Sequence, residues 1–83
     1  MLNQAVLAGQ VKEIDKTKGV ISINIQGEEI PINIEEKLMK SIEKWIEVGT
    51  TVAVKASVHF KRKSLKLIGE RVAFLGSNNA EEN

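Results

Sequence analysis

Three stretches of this chain alternate apolar and polar residues with a period of two, and that pattern constrains the fold more than any other feature. In residues 20–26, Ile21, Ile23 and Ile25 alternate with Ser22, Asn24 and Gln26. In residues 29–34 the apolar set is Ile30, Ile32 and Ile34. In residues 50–61, Val52, Val54, Ala56, Val58 and Phe60 alternate with Thr51, Ala53, Lys55, Ser57, His59 and Lys61. Successive side chains of a strand point to opposite faces, so each stretch reads as a strand with one buried face.

The punctuation between them is that of short turns. Gln26-Gly27-Glu28-Glu29 suits a hairpin, with glycine taking the dihedral that other residues resist. Asp15 to Gly19 reads as a turn, and Lys61-Arg62-Lys63-Ser64 as a basic one. Pro31 stands at an outward position and cannot donate to a ladder, which predicts an edge or a strand paired on one side there. Residues 2–14 and 65–75 supply two more strands, interrupted at Gly9 and Gly69, where a bulge or bend is expected. A long first strand that serves both halves of a small barrel needs such a bend.

One segment has a different period. In residues 35–48, Leu38, Ile42, Trp45 and Ile46 fall on one helical face, which predicts a helix over the whole stretch. Glu35 and Glu36 stand at the positive end of its dipole, and Gly49 suits its C-terminal stop. The order β-β-β-α-β-β is that of an all-β fold with one helix: a five-stranded Greek-key barrel of the OB type, with the helix plugging one end through Leu38, Ile42, Trp45 and Ile46. An open sheet with a helix across one face is the structural alternative. Residues 1–76 form the expected domain, and residues 77–83, polar and acidic, an expected disordered tail.

Composition narrows the chemistry. The 83 residues contain no cysteine, which removes disulfides and thiolate metal sites. No charged n-region with an apolar run opens the sequence, and no apolar stretch approaches the length of a membrane span; a cytoplasmic protein is expected. The net charge of +1 hides an asymmetry. Residues 1–50 carry eight acids against six lysines, whereas residues 51–75 carry Lys55, Lys61, Arg62, Lys63, Lys66 and Arg71 against Glu70 alone. A basic segment in a near-neutral chain suits a polyanion-facing side, or an edge protected by lysine against aggregation.

Three stretches carry a resemblance. Met1-Leu2-Asn3-Gln4-Ala5-Val6-Leu7-Ala8-Gly9-Gln10-Val11 resembles the start of the bacterial single-stranded-DNA-binding proteins. Lys44-Trp45-Ile46-Glu47-Val48-Gly49-Thr50-Thr51-Val52 is similar to the segment in which that family closes its helix and opens strand four, and Arg71-Val72-Ala73-Phe74-Leu75-Gly76 to its closing strand. The primosomal OB-fold protein is a smaller relative of the same kind. The resemblance implies an OB barrel that binds single-stranded DNA as a homodimer or homotetramer in replication, recombination or repair. Strands two and three carry no aromatic residue, the loop between strands four and five is short, and the tail Ala80-Glu81-Glu82-Asn83 lacks the apolar tip that recruits the family's partners.

Binding a single strand without sequence preference needs cations along the backbone and aromatic platforms for bases. The candidates are Lys55, His59, Phe60, Lys61, Arg62, Lys63 and Lys66, with Lys55, His59 and Lys61 on one face of strand four. Trp45 and Phe74 are assigned to the core or, for Phe74, a subunit interface; Phe60 can be core or contact. Few platforms imply binding that leans on electrostatics and weakens with salt. His59 has no partner pattern for a metal or a catalytic triad, and the scattered glycines have no phosphate-loop spacing, so neither enzyme nor cofactor is expected. The alternative is an OB adaptor that contacts proteins in a replication or mobile-element assembly; RNA is a further ligand that the sequence does not separate from DNA.

Overall fold

Each alternating stretch becomes a strand, and the strands close on themselves. The computed structural model describes residues 3–76. It contains β1 (Gln4–Asp15), β2 (Val20–Ile25), β3 (Glu28–Ile34), α1 (Glu36–Ile42), β4 (Thr51–Lys61) and β5 (Ser64–Gly76). They form a closed barrel in the order β1-β2-β3-β5-β4. This is the OB arrangement, and the open-sheet alternative is set aside. Met1, Leu2 and the acidic tail over 77–83 lie outside the described residues.

The first strand serves both halves. Residues Gln4 to Gln10 pair antiparallel with β4, and Gln10 to Asp15 with β2, so Gln10 faces Thr51 on one side and Asn24 on the other. At that crossover a Cβ on Gly9 would collide with the carbonyl oxygen of Asn24. Glycine is there for close backbone approach, while the bulge expected at that residue falls two to four positions later, between Val11 and Glu13. The barrel closes through a short parallel seam in which Asn33 faces Ile68 and Ile34 faces Gly69. Pro31 lies before the seam, opposite Ser22 of β2, where β3 is paired on one side among the described residues.

Val11, Ile21, Ile23, Ile32, Val52 and Val54 are fully buried and fill the barrel. Each such side chain contributes about 1.5–3 kcal/mol over its exposed state. Ser22, on the outward side of the β2 alternation, is also buried, between the partner strands that flank it.

The helix is half as long as its pattern suggests. It spans Glu36–Ile42, and the chain then winds through tight turns, with the Trp45 and Ile46 amides both donating to the Ile42 carbonyl. Gly49 N–H donates to the Val11 carbonyl and Val11 N–H to the Thr50 carbonyl, which ties the exit of this segment to β1. Six more helical residues would carry the chain roughly 9 Å further along the axis and break that tie. The plug is therefore Met39, Ile42 and Ile46, with Leu38 half-buried, and Trp45 is not part of it: it stands 69% exposed. Among the described residues no helix is long and apolar enough to cross a membrane.

Because β3 and β5 run parallel, the β2–β3 and β4–β5 hairpins leave the barrel on the same side. The β1–β2 turn lies at the other end, where Lys16 to Gly19 line a cleft with Glu36, Met39 and Lys40 of the helix.

Candidate nucleic-acid interface

The β4–β5 hairpin collects nearly all the cations of the second half of the chain. Its two-residue turn, Arg62-Lys63, fixes the register: Lys61 faces Ser64, Phe60 faces Leu65, His59 faces Lys66 and Ser57 faces Ile68. Lys61, His59 and Lys55 occupy alternate positions of β4, on the face opposite the buried Val52, Val54 and Ala56. Lys66 and Arg71 join them from β5, opposite His59 and Lys55. Like charges directly opposite each other oppose pairing, so this grouping is not a stabilising device. None of these basic side chains has an ion-pair partner among the described residues, where the one ion pair is Lys40 with Glu36 on the helix, 3.7 Å apart.

A bulge sharpens the asymmetry. Counting back from the turn, Glu70 would stand opposite Lys55. The register shifts between Lys55 and Ala56, so that Ala56 faces Gly69 and Lys55 faces Arg71. Glu70 is left over, and its Oε1 accepts a hydrogen bond from Gln4 Nε2 at 3.1 Å. A carboxylate is thereby removed from the cationic row and an arginine takes its place. Arg71 escapes sequence reasoning because the bulge that brings it there leaves no mark beyond Gly69.

His59 is exposed, with Nε2 3.1 Å from Ser57 Oγ. The same hydroxyl lies 3.5 Å from the Ile68 carbonyl oxygen, to which it donates. These contacts hold the imidazole flat on the strand face beside the cations.

Phe60 points the other way. Its position continues the inward side of β4, but the hairpin has by then left the barrel, and Phe60 is 76% exposed; the core option for it is overturned. Leu65, opposite it, is 55% exposed and was not among the expected contact residues. Its signal was available, since a two-residue turn at Arg62-Lys63 pairs the residues on either side in order. Phe74, expected in the core or an interface, is 40% exposed near the end of β5. The candidate residues thus fall on three surfaces: Lys55, His59, Lys61 and Lys66 on one face, Arg62 and Lys63 at the tip, Phe60 on the opposite face.

No family model matches the chain, and no curated protein matches it in sequence. Solved structures do resemble it. The mitochondrial single-stranded DNA-binding protein Rim1 of S. cerevisiae superposes with a TM-score of 0.80 at 17% identity, over 94% of this chain and 98% of that one. The OBody AM3L09, solved bound to hen egg-white lysozyme, gives 0.64 at 16% identity, over 89% and 82%. A chain of the S. pombe Stn1-Ten1 complex gives 0.63 at 15% identity, over 94% of this chain and 62% of that one. At these identities the likeness is one of fold.

Proposed function

We propose that this chain is a non-catalytic binder of single-stranded nucleic acid, with DNA favoured over RNA, and that its contact surface is the β4–β5 hairpin. The observation that carries the reading is the gathering of Lys55, His59, Lys61, Arg62, Lys63, Lys66 and Arg71 on one hairpin without ion-pair partners. Cations set opposite cations cost stability in the free protein and gain it back when a polyanion lies across them. The full-length superposition on a protein named for single-stranded DNA binding supports the reading. Lysines and arginines along a backbone release counterions, so affinity falls steeply as salt rises. Two or four copies associating through the outward side of β1, where Val6 is 71% exposed, would align several short surfaces and raise avidity.

The test is fluorescence anisotropy with a labelled oligo-dT of about 30 nucleotides, long enough to exceed the ~4–16 nucleotides one OB fold covers, across a salt series. Binding at low salt with a steep salt slope, lost in the triple variant Lys61→Glu, Arg62→Glu, Lys63→Glu, is the expected result. Absence of binding at low salt defeats the reading. A second reading is an adaptor that meets a protein partner, favoured by the exposed Trp45 and Val48 beyond the helix. In that case the triple charge reversal leaves partner binding intact.

A further inference from the structure

Most exposed apolar residues on a small protein stand singly and need no explanation. Phe60 and Leu65 stand as a cross-strand pair, both more than half exposed, on a hairpin whose other side is cationic. Alternation along the strands sends Phe60 to one side and His59 and Lys61 to the other, one residue away in each direction. On β5, Leu65 alternates in the same way with Lys66. Each apolar side chain therefore sits within a single strand step of a positive charge that faces away from it.

We propose that the two sides of this hairpin divide a nucleotide chain between them: the tip and the cationic side hold phosphates, and the Phe60–Leu65 side holds a base. The inference rests on the single-strand reading above and extends it to a stacking site. Charge selects the occupant. A second copy of the protein docked on this pair would bring Lys61-Arg62-Lys63 of each hairpin toward the other, and like charges oppose that contact. A duplex keeps its base faces covered. A single strand offers what the hairpin complements, a negative backbone with uncovered apolar base faces. The position is also the one available at this end of the barrel. Trp45 belongs to the segment beyond the helix and Phe74 lies opposite Val52 at the start of β4, whereas the neighbouring β2–β3 hairpin offers the half-buried Ile25 and Ile30 and no aromatic.

The experiment compares the wild-type chain with the double variant Phe60→Ala, Leu65→Ala on two probes: oligo-dT and an abasic strand of the same length. Both residues are exposed, so the variant retains the barrel, which circular dichroism verifies. The wild type is expected to bind the abasic strand more weakly than oligo-dT. The double variant is expected to bind oligo-dT about 5- to 150-fold more weakly, the fold-change of one lost stack. Its salt slope stays unchanged and it no longer distinguishes the two probes. If the variant binds oligo-dT as tightly as the wild type, or if its weaker binding comes with a shallower salt slope, the division between the two sides is wrong. A change in sedimentation in place of a change in binding would make the pair a self-contact and also overturn it. Failure of the wild type to bind either probe at low salt defeats the parent reading itself.

Discussion

Arg62 and Lys63 both adopt positive φ, 52° and 68°. The other two-residue hairpin reaches the same conformation with Gln26 at 53° and Gly27 at 88°. Side chains with a Cβ resist this region by roughly 1–2 kcal/mol per residue, and hairpins of this geometry favour Asn-Gly. One hairpin relieves the strain with glycine and the other keeps two long cations in spite of it, which is the pattern of backbone strain held at a working surface. The double change Arg62→Asn, Lys63→Gly should raise stability by about 1 kcal/mol in urea unfolding. It should also weaken single-strand binding and reduce the log–log salt slope by roughly 1–2. A variant that is no more stable, or that binds as the wild type does, contradicts this account. Sequence pattern identified these cations but misjudged Phe60, because alternation gives a residue's side of the strand and says nothing of where the barrel beneath it ends.

At the scale of elements, the strands were legible and the helix was legible only in part. Ile21, Ile23, Ile32, Val52 and Val54 announce their strands because each has one wet and one dry face. The apolar spacing of 35–48 fits a helical face as far as Ile46, yet α1 stops at Ile42. What stops it is remote in sequence: the Val11 backbone, which must meet Gly49 and Thr50. Ile46 still reaches the core from the turn, whereas Trp45 is swung outward. The emission of Trp45 in the native protein should accordingly resemble that of a solvated tryptophan, be quenched by iodide, and shift little on unfolding in urea. A strongly blue-shifted native emission would place the indole in the core and restore the longer helix. The Glu70 bulge is hidden from the sequence for a similar reason, since its effect depends on which residue of β4 lies opposite.

For the whole molecule, a core this small makes each buried side chain count. Ile32 is fully buried between its neighbours on the β2 and β5 sides of the barrel. Ile32→Ala should cost about 2–5 kcal/mol, a large share of the ~5–15 kcal/mol that folds a domain. Urea unfolding followed by circular dichroism reads this as a lowered midpoint at unchanged slope, and a loss well under 1 kcal/mol would mean that the barrel interior repacks freely. The barrel architecture followed from element order alone, while the free surfaces that give it a use depend on how far each hairpin extends past the closed part.

The closing seam has a mechanical meaning. Around the ring, β4 holds β5 along its whole length, but β3 holds β5 only where Asn33 and Ile34 meet Ile68 and Gly69. Asn33 adds a side-chain clip, with Nδ2 donating to the Leu67 carbonyl at 3.1 Å. Above that short weld the two hairpins are the arms of a pair of callipers. They are joined at the seam and free at their tips, so the gap between them can be set by whatever passes through it while the ring below stays shut.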